Sequence, residues 1–181
     1  MDSTSFLATL QAAVPDATLE PVPSIDLQMT FYVPREQLQS VATALRTSDD
    51  LAFTFLAEVT AADFWPREPR FEVVYQLVSI AHRLRLRMKV RLHADRANVP
   101  TMSTLWPAAN WLEREVWDLF GIVFDGHPDP RRLLMPEDWD GFPLRKDYPV
   151  QIRMTPATAA PLQVTEEEFR ANVARDRLTR R

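Results

Sequence analysis

From Arg83 to Leu92 the sequence alternates without a break. Leu84, Leu86, Met88, Val90 and Leu92 interleave with Arg83, Arg85, Arg87, Lys89 and Arg91. Only a strand sends such apolar side chains to one face of a sheet and the cations to the other. The preceding run, Phe71-Glu-Val-Val-Tyr-Gln-Leu-Val-Ser-Ile80, is rich in β-forming residues, and the short break at Ala81-His82 predicts an antiparallel hairpin. A sheet with one apolar face needs a cover. Residues 35–47 supply it: Pro34 stands where a first helical turn accepts proline, and Leu38, Val41, Ala42 and Leu45 recur at helical spacing. Further strands are predicted over Ile25 to Val33 and Leu51 to Val59. A short helix is predicted over Phe6, Leu7 and Leu10, capped by Ser5 and ended by Pro15. These elements predict an α+β fold, a two-layer sandwich of a mainly antiparallel sheet with helices on one face.

Composition narrows the chemistry. The 181 residues are 46% hydrophobic and 25% charged, enough for one packed domain with extensions. A net charge of −4 gives no electrostatic footprint for nucleic acid or an anionic membrane. No apolar run approaches the ~20 residues of a bilayer span, and Met1-Asp2-Ser3-Thr4 lacks the basic head of a secretory signal. Both features predict a cytoplasmic protein. The absence of cysteine excludes disulfides, thiolate zinc sites, cysteine nucleophiles and cysteine-held iron–sulfur clusters. The three glycines, at 121, 126 and 141, do not make a dinucleotide fingerprint. Gly121 and Gly126 have the separation of a phosphate-binding loop, but His127-Pro128 follows where Lys and Ser or Thr must stand.

Beyond Thr101 the texture changes. A helix opens near Asn110, with Leu112, Val116, Leu119 and Phe120 on one face. Arg114 and Asp118 lie four apart on the other, where a pair contributes a few tenths of a kcal/mol. Gly121 is placed to end this helix in the left-handed conformation, and Ile122 to Phe124 reads as a brief strand. Residues 126–150 then hold five of the fifteen prolines and two of the three glycines, which predicts an extended C-terminal arm. Leu133, Leu134, Met135, Trp139, Phe142 and Tyr148 argue against disorder there. Fully stretched, such an arm reaches about 80 Å, against about 35 Å for the globule it leaves. The chain therefore divides into 1–125, an α+β domain; 126–150, a partner-binding arm; and 151–181, a tail. The tail carries a short helix opened by Thr165-Glu-Glu-Glu168.

No catalytic, cofactor-binding or metal residue is assigned. His82, His93 and His127 are not spaced as helical ligands, and His127 suits a backbone bond at a turn. Glu113 and Glu115 diverge on a helix. Glu137, Asp138 and Asp140 lack the spacing of a calcium loop. Arg131, Arg132, Arg145 and Lys146 are expected to pair with Asp129, Asp147 or a partner's carboxylates. The cationic strand, 83–91, has an RNA-binding reading as a free-standing module. With no aromatics between the charges, a solvated face or one docking an acidic partner is preferred.

The stretch from Glu113-Arg-Glu-Val-Trp-Asp-Leu-Phe-Gly-Ile-Val-Phe-Asp-Gly-His-Pro to Pro-Leu-Arg-Lys-Asp-Tyr-Pro149 resembles the C subunit of proton-pumping NADH–quinone oxidoreductase, respiratory complex I. Trp106-Pro-Ala-Ala-Asn-Trp111 and Arg70-Phe-Glu-Val-Val-Tyr-Gln-Leu-Val-Ser79 resemble the family as well. Pro130, where leucine is expected, and Phe142, where histidine or another residue is usual, depart from it. The resemblance implies a non-catalytic structural subunit of the peripheral arm, on the cytoplasmic side of the inner membrane. It implies packing against subunits D, B and I. FMN, the iron–sulfur clusters and quinone would belong to the partners, and none to this chain. The equivalent subunit of a related membrane-bound hydrogenase, or of another quinone-linked oxidoreductase, is the alternative. On this reading the arm is an assembly clamp, with His127 at its start. Trp139, Phe142 and Tyr148 anchor it in apolar pockets. Arg131, Arg132, Arg145, Lys146 and Asp147 bond across the interface, and Glu113, Arg114 and Asp118 fix the helix that launches it.

Overall fold

The computed structural model of the chain describes residues 3–149 together with Thr165 and Glu167; the rest of the tail and its expected helix lie outside the described residues. The alternating run is strand β5 (Leu84–Leu92), and the run before it is β4 (Phe71–Ser79). The two pair antiparallel in unbroken register from Phe71↔Leu92 to Ser79↔Leu84, as the hairpin requires. On the other side of β4 lies β3 (Phe55–Asp63), antiparallel, with a register shift between Leu56 and Glu58. Strand β2 (Met29–Tyr32) pairs parallel with β5, and the two-residue β1 (Glu20–Pro21) closes that edge. The sheet is therefore mixed, in the order β1-β2-β5-β4-β3.

Two expected strands are corrected at their starts. Ile25 and Leu27 are not in β2: they are fully exposed. Asp26 accepts the Ser24 hydroxyl and the Gln28 N–H, and Leu27 takes a left-handed φ of 57°. This side-chain-closed turn competes successfully with the β preference of isoleucine. The strand expected from Leu51 begins only at Phe55, because the chain is still leaving a helix. Ala52 N–H bonds Ser48 O at 2.7 Å and Phe53 N–H bonds Leu45 O at 2.8 Å. Leu51 and Phe53 reach the core all the same.

The helix predicted over 35–47 is one 3-10 turn, Arg35–Gln37, followed by α2 (Leu38–Thr47), which buries Leu38, Val41, Ala42 and Leu45. Helix α1 spans Ser3–Ala13, so Ser5 lies inside it and is not its cap. It contributes Phe6 and Leu10, whose burial is complete. These side chains meet Val59, Val73, Tyr75, Leu77, Leu86, Met88 and Val90 in one continuous core. Each large side chain withdrawn from water contributes roughly 1.5–3 kcal/mol. Residues 71, 73, 75 and 77 of β4 and 86, 88, 90 and 92 of β5 all face this core. The other sheet face carries the cations.

Strand β6 (Asn98–Pro100) and β7 (Val123–Asp125) pair parallel as a separate ribbon. Between them runs α3 (Ala109–Phe120), which ends at Gly121 with φ 70° and Gly121 N–H bonded to Trp117 O, the left-handed stop expected. The compact unit to which all these elements belong continues to Pro149. Among the described residues no helix is long and apolar enough to cross a membrane.

Candidate docking ribbon and the charges that hold it

The ribbon from Gly126 to Pro149 does not leave its own domain bare. Its backbone and its charges are bound to α3 and to the end of β3, through two buried carboxylates. The first is Asp118, fully buried on α3. Its Oδ2 accepts three consecutive backbone N–H groups, those of Leu133, Leu134 and Met135, at 2.9, 2.7 and 2.9 Å. Its Oδ1 accepts Arg132 Nη1 at 2.7 Å. Burial pushes the Asp118 carboxyl up, but the Met135 amide, Arg132 and the other two amides outweigh it and hold it below the usual carboxylate range. A turn of successive amides around one anion is an intrinsically electropositive concavity. Here it is filled from within the same chain.

The expected pairing of Arg114 with Asp118 is not made. Arg114, only 8% exposed, instead donates to the carbonyls of Arg131 and Arg132, both at 3.0 Å. The helix face that carries Arg114 and Asp118 is thus a buried one, because the ribbon covers it. Arg132 also reaches the Trp139 carbonyl at 2.8 Å and gathers the middle of the ribbon.

The C-terminus of α3 makes the next attachment. A helix leaves its last carbonyls without intrahelical donors, and a cation there is favoured by the helix dipole. Leu144 N–H bonds Leu119 O at 3.0 Å, and Arg145 Nε bonds Phe120 O at 2.6 Å. The Phe142 ring lies over Gly121, where an added Cβ would stand 2.4 Å from it, and the Tyr148 ring lies over Gly141, where the distance would be 2.8 Å. Tyr148 also stacks on Trp139 with ring centroids 6.4 Å apart.

The second carboxylate is Asp63, at the end of β3. Arg70 grips both its oxygens, Nε to Oδ1 at 3.0 Å and Nη2 to Oδ2 at 2.9 Å. Lys146 N–H donates to Oδ2 at 2.9 Å, and Arg70 Nη2 also binds Asp147 at 2.7 Å. Burial again opposes the charge, yet Arg70 and the amides of Lys146 and Trp65 hold the Asp63 carboxyl down at about 2. Beside Arg70, Asp147 is lowered too.

Glu113 and His127 secure the base of the ribbon. Glu113 is fully buried and accepts Thr101 Oγ1–H at 2.5 Å and Met102 N–H at 2.6 Å. Desolvation dominates there and pushes its carboxyl up to about 7. His127 Nε2 lies 3.0 Å from Asn110 O, and its Nδ1 lies 3.1 Å from Asp129 N–H. A carbonyl only accepts and an amide only donates, so Nε2 is the donor and Nδ1 the acceptor in this arrangement. This is the backbone role expected of His127.

The interface residues expected from the sequence therefore divide. Glu113, Arg114, Asp118, His127, Arg132, Phe142, Arg145 and Asp147 make their bonds and contacts within the domain. Arg131 pairs with its neighbour Asp129 in the open. Lys146 contributes its amide and leaves its ammonium exposed. Asp63 and Thr101 join the attachment without a signal in the sequence, and Arg70 is marked there only as the start of a family-like stretch; no local spacing ties a residue at 63 or 70 to one at 147. No residue from 126 to 149 is buried to the level of the core, and Leu134 and Leu144 stand 60% and 51% exposed. Within the chain itself, Phe142 and Tyr148 rest on Gly121 and Gly141. Among the described residues no group of three or more His, Cys, Asp or Glu is placed to hold a metal ion.

Fold and site together define a class: an α+β protein whose buried charges serve to fasten a proline-punctuated ribbon along one of its helices. Residues 31–153 match the family described as respiratory-chain NADH dehydrogenase, 30 Kd subunit, and the chain belongs to that family. It is 45% identical over 150 residues to the NADH-quinone oxidoreductase C subunit of Roseiflexus sp. (strain RS-1), covering 83% of this chain and 86% of that one. With the C subunit of the Geobacter metallireducens enzyme it shares 49% identity over 125 residues, 68% of this chain and 76% of the relative. Among solved structures it is similar to the trypsin-resistant fragment of Nqo5, with TM-score 0.57 and 34% identity over 71% of this chain and 99% of that one. It is also similar to a chain of the membrane-bound sulfane sulfur reductase, an archaeal respiratory membrane complex, with TM-score 0.68 and 26% identity over 81% and 85%.

Proposed function

We propose that the chain is a non-catalytic structural subunit of the peripheral arm of a proton-translocating NADH–quinone oxidoreductase. In this reading it sits on the cytoplasmic side of the inner membrane, against subunits D, B and I. NADH oxidation at FMN, electron passage through iron–sulfur clusters and quinone reduction belong to those and other neighbours. The observation that carries the proposal is the division of labour in the ribbon. The amides of Leu133, Leu134, Met135, Leu144 and Lys146 and the guanidinium groups of Arg132 and Arg145 are bonded within the chain, while Leu134 and Leu144 stand exposed on a backbone held in this way. A segment held in its binding conformation avoids the ordering cost that a free arm would meet on docking. Arg132 and Arg145 act on assembly through the ribbon's shape, and Lys146 through its exposed charge.

The test is native purification through a tag on this chain, with identification of the companions. Leu134→Lys combined with Leu144→Lys is expected to lower recovery of the complex and quinone reductase activity together, with the isolated chain melting as before. Normal assembly with selective loss of quinone turnover would instead assign the ribbon a direct part in the reaction. A second reading, the equivalent subunit of a related respiratory membrane complex, is favoured by the similarity to the sulfane sulfur reductase chain. The identity of the electron-input subunits that co-purify separates the two.

A further inference from the structure

We infer that Phe64, Trp65, Arg67 and Lys146 form a docking patch for an acidic segment of a neighbouring protein chain. The inference rests on the reading of this chain as a subunit and names a surface and a partner chemistry within it. Phe64 and Trp65 stand 39% and 49% exposed on the turn that joins β3 to β4. Large rings left in water are a source of binding energy when a partner covers them. The turn is held firmly: Arg67 N–H bonds Phe64 O at 3.0 Å and Trp65 N–H bonds Asp63 Oδ1 at 2.9 Å. Lys146 N–H enters the other oxygen of the same carboxylate at 2.9 Å, so the turn and the end of the ribbon meet over Asp63.

Charge decides what fits. The anions of this region are already engaged: Asp63 and Asp147 by Arg70, and Glu68 by His93 and the amides of Arg70 and Ala94. Arg67 and Lys146 are exposed and have no carboxylate partner among the described residues. Two uncommitted cations at the junction of turn and ribbon that also carries two uncovered rings attract carboxylates interspersed with apolar side chains. Single-stranded nucleic acid also combines stacking with charge, but it needs a row of cations that tracks the backbone, and Arg67 and Lys146 are two.

The experiment places a photo-crosslinker at position 65, Trp65→p-benzoylphenylalanine, in the tagged full-length chain within the assembled complex. The expected adduct is an Asp- and Glu-rich peptide of another subunit. Arg67→Glu with Lys146→Glu should then weaken retention in the complex about tenfold, in a salt-dependent manner. Exchanging acidic residues of the cross-linked peptide for lysine should restore it. Arg67→Gln with Lys146→Gln, which adds no new charge, should give a smaller loss at an unchanged melting temperature. Co-purification without any adduct at position 65, an adduct to RNA or to a neutral or basic peptide, or charge reversal without effect would each overturn the patch and leave the subunit reading standing. A chain that joins no complex would overturn both.

Discussion

Two charged regions of this molecule differ in how conspicuous they are in the sequence and in how deeply the fold sets their charges. The cationic face of β5 is the most conspicuous pattern in the chain. Yet Arg87 pairs with Asp26 at 2.5 Å, Lys89 with the largely buried Glu72 at 2.7 Å and Arg91 with Glu20 at 3.0 Å in the open. Arg91 also lies over the Tyr32 ring, 3.5 Å from its centroid. With three of the five cations engaged in this way, the face does not present the continuous row of free charges that an RNA-binding module would need. The charges of α3, by contrast, are inconspicuous in sequence, and Glu113 and Asp118 are fully buried. Isolated surface pairs contribute little, because water screens them. A buried carboxylate surrounded by donors is different: removing it leaves every donor without a partner. Location, not the number of charges in a row, decides which of them hold the molecule together.

The most demanding test of that contrast is Asp118→Ala. It strands three amides and Arg132 beneath the ribbon, and the expected loss is about 3–5 kcal/mol in urea or thermal unfolding. Asp118→Asn, which keeps the shape but not the charge, should fall between. A loss under about 1 kcal/mol would put Asp118 on the same footing as the surface pairs. Acid unfolding tests the same point. Asp118, Asp63 and Asp147 all have folded values below their unfolded ones. Their contribution is therefore complete above the ordinary carboxylate range and disappears as pH falls through their folded values, about 2 for Asp63.

Glu113 should show the opposite slope. Its carboxyl is raised from 4.5 to about 7 by burial, so the folded chain keeps a proton that the unfolded chain releases. Stability is therefore expected to fall as pH rises from about 4.5 to about 7 and then to level off. Glu113→Gln keeps the bonds, since Oε1 accepts Met102 N–H and Nε2 donates to Thr101 Oγ1. It should abolish that slope and raise stability above pH 7 by on the order of 3 kcal/mol. Urea midpoints at several pH values measure it, and an unchanged slope would mean that Glu113 ionises freely.

How legible each region was follows from the range of its interactions. The β4–β5 hairpin, α2 and the Gly121 stop rest on local periodicity or on one residue's conformational freedom, and the sequence displays all three. The family motif marked Arg132, Arg145, Asp147 and Tyr148 as a set, but not what they touch. Asp63 meets Lys146 across 83 positions, and Arg70 meets Asp147 across 77. Neither contact has a periodic trace. For α3 the hydrophobic pattern itself misled: Leu112, Val116, Leu119 and Phe120 define a core face, and nothing in a helical wheel reveals that a ribbon buries the opposite one. Ile25 misled in the other direction, because a three-residue turn closed by Asp26 outweighed its β preference.

The smallest expected effect belongs to the cationic strand. Arg91 and Glu20 are 44% and 58% exposed as side chains, so water screens their attraction and ordering two long side chains opposes it. A double-mutant cycle of Arg91→Ala and Glu20→Ala should give a coupling of about 0.2–1 kcal/mol that shrinks with added salt. Arg91→Ala alone should cost somewhat more than Glu20→Ala, since only the arginine also covers the Tyr32 ring. A coupling of several kcal/mol, insensitive to salt, would mean that β5 and α3 hold their charges in the same way. The contrast between the two regions would then have to be drawn from the ribbon's contacts alone.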